Sequence, residues 1–323
     1  MSPPRPPTHR ARFKRGGTKS VDRPIHHIQH GVEILETIDQ IGFATNEQIF
    51  RLFFESRPNR SGAVRQESAA RRAAQRALNR LWNAGYVDRR PIMLTSKKTG
   101  FGYQSFVSVL IRKGADELQE YFKAQGKGEL RWTKRGIKIS NKTIEHSLAI
   151  NDFYVLMRRA CEEEDVGFLE WKDDRQLTAM NNAHLLRLVA IPDAFFVLEK
   201  NGKFFGHFLE IDLGTETGVG RVSEGVWQQK ISAYGRYFRD YYPADGYFRG
   251  YTAPIVLTVT SNEERLNDLL RATKKARGAG VYWYTTIQNL FPSGQFDPSA
   301  LWQPIWRVVN NPLPRSILDR LAR

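Results

Sequence analysis

The stretch from Ile191 to Glu216 reads IPDAFFVLEKNGKFFGHFLEIDLGTE. Two β-rich runs flank Asn201-Gly202, the dipeptide best suited to a two-residue type I′ hairpin, in which both turn positions need positive φ. With that loop, Lys200 faces Lys203, and counting outward sets Asp193 across from Glu210. Side chains alternate along a strand, so Asp212 shares the face of Glu210 and Asp193. Opposed residues of an antiparallel pair have Cβ atoms roughly 5 Å apart. Three carboxylates so placed, among Phe, Leu, Ile and Val, repel one another and call for a cation. Hard divalent ions such as Mg²⁺ or Mn²⁺ take carboxylate oxygens, with water and substrate phosphate completing the shell. Asp193, Glu210 and Asp212 are therefore candidate metal ligands, and phosphodiester cleavage is the matching chemistry.

Further along, WQQKISAYGRYF predicts a helix whose Trp227, Ile231, Tyr234 and Phe238 pack on the sheet. Lys230 and Tyr234 lie four apart on one face of it, so the lysine can lean over the acidic end of the sheet. There it would stabilise charge developing on a phosphate or orient the attacking water. Glu145 and Glu216 are possible accessory carboxylates, as Tyr234 is a possible accessory hydroxyl. His207 points away from the acidic face by alternation. Phosphate-loop, zinc, HExxH and nucleophile-elbow motifs are absent from the sequence.

The element order around the hairpin is a mixed α/β plan, with a central sheet and flanking helices over residues 143–290. A helix is expected at Thr143 to Glu163, a strand at Gly167 to Trp171, a helix at Ser223 to Arg239 and a strand at Pro254 to Thr260. A helix at Asn262 to Arg277 and a strand at Val281 to Thr286 follow. Residues 291–323 form a C-terminal extension.

Residues 29–119 carry the pattern of a winged helix-turn-helix. A first helix ends at Gly42, a second is capped by Thr45 or Asn46, and a third is ESAARRAAQRALNRLWNAG. Two strand-like runs, Tyr86 to Leu94 and Tyr103 to Ile111, then flank a basic turn. Arg71, Arg72, Gln75, Arg76 and Asn79 on the third helix, with Lys97 and Lys98 in the turn, are the candidate contacts to double-stranded DNA. Residues 1–28 read as a disordered basic arm and residues 120–142 as a basic linker.

The chain has 323 residues and a formal net charge of +15, which favours a polyanionic partner. It has no signal-peptide h-region, no stretch long enough to span a membrane, and a single cysteine, Cys161. Those features fit a cytoplasmic setting without disulfides.

The order helix, strand, PD-bearing strand, E-x-D strand and K-x-x-x-Y helix resembles the PD-(D/E)XK restriction-endonuclease-like fold. A winged helix followed by HSLAINDF, PDAFF, FLEIDLGTE and KISAYGRYF resembles, more narrowly, the replication-relaxation family of plasmids and integrative elements. The resemblance spans roughly residues 30–290, and FLEIDLGTE is its most specific part. It implies an α+β or α/β chain in which a winged helix-turn-helix precedes a restriction-endonuclease-like domain. It also implies a likeness to relaxases that nick plasmid DNA at a transfer origin, with Asp193 and Glu210 as metal ligands. The sequence departs from the pattern at Asp212, where a lysine is usual, and Lys230 is the candidate replacement. The expected function is a Mg²⁺-dependent (or Mn²⁺-dependent) endonuclease or nickase in plasmid mobilisation or replication, working at an origin-like site with transfer or replication proteins. The alternative is a non-catalytic DNA-binding regulator or accessory factor with a degenerate nuclease-like domain.

Overall fold

Local signals set most element ends. The computed structural model of the chain describes residues 24–55, 67–95, 102–127, 130, 132, 144–213, 224–242, 245–248, 250–278 and 280–322. It divides into two units, Met1–Ile139 and Ser140–Arg323. Among the described residues no helix is long and apolar enough to cross a membrane.

In the first unit, helix α1 (Gly31–Ile41) buries Ile34, Leu35, Ile38 and Ile41 at helical spacing and stops at Gly42. Thr45 caps α2 (Asn46–Phe53) through a capping box with Gln48. Helix α3 (Glu67–Ala84) buries Ala70, Ala74, Ala77, Leu78 and Leu81 and ends before Gly85, whose φ is +79°. Strands β1 (Ala44–Thr45), β2 (Val87–Thr95) and β3 (Gly102–Leu110) form an antiparallel sheet in the order β1-β3-β2. The turn that joins β2 to β3, with Lys97 and Lys98, lies outside the described residues.

Two expectations need correction here. Residues 112–124 form a fourth helix, α4 (Arg112–Ala124), across the expected start of the basic linker at residue 120. It buries Gly114, Ala115 and Leu118. A Cβ at Gly114 would lie 2.1 Å from the Tyr86 carbonyl oxygen, so glycine permits the close approach of α4 to that backbone. The expected arm of residues 1–28 is also too long, since a 3-10 turn at Ile25–His27 buries Ile25, and Ile28 is buried beside it. The arm's Arg10, Arg12, Lys14, Arg15 and Lys19 lie outside the described residues.

The second unit is a mixed six-stranded sheet flanked by helices. Its strands are β4 (Gly167–Asp173), β5 (Ala194–Lys200), β6 (Lys203–Asp212), β7 (Thr252–Thr260), β8 (Tyr282–Thr286) and β9 (Arg307–Val308), hydrogen-bonded in sequence order. The β4-β5-β6 portion is antiparallel, β6-β7-β8 is parallel, and β9 returns antiparallel. The helices are α5 (Ile144–Glu163), α6 (Asp174–Asn182), α7 (Glu224–Arg236), α8 (Glu263–Lys275), α9 (Ile287–Leu290) and α10 (Ile317–Leu321). The loop between β5 and β6 is Asn201-Gly202, with φ of 55° and 74°, as a type I′ turn requires.

Alternation on these strands builds two cores. Phe195, Val197 and Phe208 pack with Trp227, Ile231 and Tyr234 of α7 and Leu266 and Leu269 of α8. On the other face Phe196 lies against Phe153 of α5 and stacks on His207 at 4.8 Å. Residues 291–323 belong to the same unit: β9 pairs with β8, Trp306 is fully buried, and Trp302 Nε1 donates to the Ala160 carbonyl at 3.1 Å.

Candidate active site

The β5-β6 ladder runs from Lys200↔Lys203 to Ala194↔Leu209 without a register shift. Beyond it the Asp193 N–H also donates to the Leu209 carbonyl, at 3.0 Å. That bond goes to the residue already paired with Ala194, so the regular ladder stops there and Asp193 lies beside the Leu209–Ile211 segment of β6 at one end of the sheet. Asp193 Oδ2 accepts the Ile211 N–H at 2.7 Å and lies 3.3 Å from His146 Nε2 of α5. The same His146 nitrogen is 3.0 Å from the Ile211 carbonyl oxygen. One imidazole thus ties the end of β6 to the residue that opens β5.

Glu210 is 1% exposed and faces α7. Lys230 donates to its Oε2 and Tyr234 to its Oε1, two residues that share a helix face because they are four apart. Burial pushes the Glu210 carboxyl up to about 7; the Lys230 charge opposes this and the Asp193 charge adds to it. Burial beside Glu210 also raises the Tyr234 phenol far above its ordinary range, so it stays a hydrogen-bond donor. Lys230 keeps its own side chain about one-third exposed, so its ammonium meets solvent as well as the carboxylate.

Asp212 differs from the expected arrangement. Its Oδ2 accepts from Arg265 Nη2 at 2.6 Å, and both side chains are nearly buried. Arg265 stands in the first turn of α8, where its own N–H is capped by Asn262. One oxygen of Asp212 thereby meets a guanidinium, a partner the sequence did not indicate. Among the described residues no group of three or more His, Cys, Asp and Glu is arranged to hold a metal ion. The donors left for a divalent cation are Asp193 and Glu210, hard oxygens of the type Mg²⁺ takes one or two at a time. Beside them in β7, Thr258 and Thr260 neighbour Glu210 and Asp212 and keep buried hydroxyls with no hydrogen-bond partner.

Glu145 is exposed, one residue before the His146 that reaches the site, and Glu216 lies outside the described residues. Sequence reasoning missed His146 and Arg265 as members of this cluster. Neither carries a local signal, since each arrives on a helix whose docking is decided by its apolar neighbours. His207 lies on the opposite face, as alternation requires, fully buried with neither ring nitrogen hydrogen-bonded. Cys161 is buried and its thiol is pushed up to about 12 by burial and by Glu162, so it is a packing residue.

In the first unit, the candidate DNA contacts separate into two groups. Arg71 pairs with Glu47 and Glu67 and lies 4.1 Å over the Phe50 ring, while Gln75 and Asn79 are hydrogen-bonded to each other at 2.9 Å. Arg72 and Arg76 are exposed.

A mixed sheet with an acidic end, covered by a K-x-x-x-Y helix and preceded in sequence by a unit of four helices and a β-hairpin, describes this chain. The profile of the Replication-relaxation family matches residues 35–250, and the chain belongs to that family. No curated protein matches it significantly. Among solved structures, the restriction endonuclease FokI bound to DNA aligns with a TM-score of 0.21 and 9% identity, over 81% of this chain and 69% of that one. A second FokI structure aligns with a TM-score of 0.20, again at 9% identity, over 83% and 69%. Similarity of that degree decides nothing about chemistry, and the fold stands on its own strand order.

Proposed function

We propose that the protein is a DNA-binding, Mg²⁺-dependent (or Mn²⁺-dependent) endonuclease or nickase of relaxase type, acting in the cytoplasm during plasmid or mobile-element mobilisation or replication. Family membership supports a role in DNA processing. The observation that carries the nuclease reading is the convergence of Lys230 and Tyr234 on Glu210 at one end of a mixed sheet, with Asp193 beside the same segment of β6. A bound Mg²⁺ would polarise the scissile phosphate and lower the pKa of a water molecule. Asp193 and Glu210 would hold it, and the attraction of such an ion would keep Glu210 ionised against its burial. Lys230, released from Glu210, would stabilise charge on the phosphate. Tyr234 orients the Glu210 carboxylate, while Asp212 holds Arg265. The first unit would bring the enzyme to an origin-like site, in company with transfer or replication proteins.

The test is a nicking assay on supercoiled plasmid carrying the neighbouring intergenic DNA, with Mg²⁺, Mn²⁺ or EDTA. Metal-dependent open circles from the wild type and none from Asp193→Ala are expected, with DNA binding retained. Equal nicking by the variant refutes the assignment.

The Asp212–Arg265 pair favours a second reading, a non-catalytic DNA-binding regulator or accessory factor that recruits a replication or transfer enzyme. A melting temperature that does not respond to millimolar Mg²⁺ or Mn²⁺, together with intact supercoils, would support it.

A further inference from the structure

Helix α3 presents two polar stripes one residue apart, and they are built differently. The first, Arg71, Gln75 and Asn79, is spent inside the unit. Arg71 pairs with Glu47 of α2 and with Glu67. Gln75 accepts from Asn46 of α2 and donates to Asn79. Asn79 in turn accepts from Arg89 of β2, whose guanidinium sits 5.1 Å over the Trp82 ring. This chain of contacts joins α2, α3 and β2. A base edge could engage these groups only by breaking it.

The second stripe is Arg72, Arg76 and Arg80. All three are exposed, and among the described residues none takes part in an ion pair or a side-chain hydrogen bond. The only acid in α3 is Glu67, and it is already paired with Arg71. Residues four apart recur on one helix face, about 6 Å along the axis per step, so the three guanidinium groups form a row about 12 Å long. Three uncompensated arginines in a row on a rigid helix match a row of phosphates, and arginine suits phosphate through its planar fork of donors.

We infer that Arg72, Arg76 and Arg80 form a sequence-independent contact to the phosphate backbone of duplex DNA, while Arg71, Gln75 and Asn79 form the internal brace that holds the helix in position. This rests on the reading that the first unit binds DNA. It adds Arg80 to the interface and removes three residues from it.

The experiment measures affinity of the full-length protein for a fluorescent 30-base-pair duplex of random sequence, from 50 to 300 mM NaCl in EDTA. Each phosphate contact contributes about 0.9 to the slope of log K against log salt. The triple variant Arg72→Ala, Arg76→Ala, Arg80→Ala is expected to lower the slope by about 2.7 and weaken binding on the order of 10²- to 10³-fold at 0.1 M salt. Arg80→Ala alone is expected to lower the slope by about 0.9. A double variant, Gln75→Ala and Asn79→Ala, is expected to lower the melting temperature and leave the slope unchanged. Wild-type binding with an unchanged slope in the triple variant overturns the inference while DNA binding by the protein stands. Absence of salt-dependent binding by the wild type overturns both.

Discussion

Replacing Glu210 with glutamine keeps the shape of the side chain and removes its charge. The carboxyl is buried, and its pKa rises from 4.5 to about 7 because burial penalises the charged form more than Lys230 relieves it. An acid whose folded pKa exceeds its unfolded value binds more protons when folded. Its contribution to stability is therefore largest below about pH 4.5 and is lost as pH rises through 7. At about 1.36 kcal/mol per pH unit, that separation amounts to about 3 kcal/mol, or roughly 6–12 °C in melting temperature for a unit of this size. In EDTA, Glu210→Gln is expected to melt above the wild type at pH 8, and the gap is expected to shrink toward pH 5. Millimolar Mg²⁺ is expected to close the gap at pH 8, because a cation held by Asp193 and Glu210 stabilises only the wild type, by about 2.7 kcal/mol at a hundred times its Kd. Melting curves for the two proteins, recorded by circular dichroism across this pH range with EDTA or Mg²⁺, provide the check. A constant separation in EDTA refutes the coupling between burial and ionisation, and a Mg²⁺ response shared by the variant refutes Glu210 as a ligand.

The opposite pH sense is expected of His207, whose imidazole is held far below its ordinary pKa by burial and by the charge of Arg320. Its folded form is neutral, so stability is lost as pH falls below about 6.5, and His207→Leu is expected to flatten that limb of a urea-unfolding series. Breaking the Asp212–Arg265 pair by Asp212→Asn or by Arg265→Met is expected to cost a few kcal/mol, since either removes one charge of a nearly buried ion pair. The double variant is expected to lose less than the sum of the two, measurable as a coupling energy by chemical denaturation. Gly202→Ala is expected to cost about 1–2 kcal/mol through backbone strain alone, because φ is +74° and an added Cβ meets open space. A melting temperature equal to that of the wild type would contradict the type I′ assignment.

Much of the site was legible in the chain because its determinants are local. The Asn201-Gly202 turn sets the register from Lys200↔Lys203 to Ala194↔Leu209, and period-two alternation sends His207 to the other face. Period-3.6 spacing sets Lys230 and Tyr234 on one side of α7. The caps at Thr45 and Asn262 and the glycines after α1 and α3 mark helix ends for the same reason: each satisfies or breaks backbone hydrogen bonds within a few residues of itself. Helix α6 was not legible, because it has nine residues and buries only Leu177 and Met180, too few for a periodic signal; the 13-residue α4 was missed although its residues are amphipathic.

What the sequence determined by itself is the hairpin, its acidic face and the helix that answers it, since turn chemistry and side-chain periodicity act over short separations. Which cation each carboxylate meets was decided only in three dimensions. Lys230 follows Glu210 by 20 residues, Arg265 follows Asp212 by 53, and His146 precedes Ile211 by 65. Those meetings depend on how α5, α7 and α8 dock their apolar faces on the sheet. The same holds for α3, where the sequence offers four arginines and the amides of Gln75 and Asn79 on one helix, and only the packing of α2 and β2 against it separates brace from open face. Hydrophobic burial is non-directional, so it fixes the docking through the sum of many contacts, and the charged partners follow from that sum.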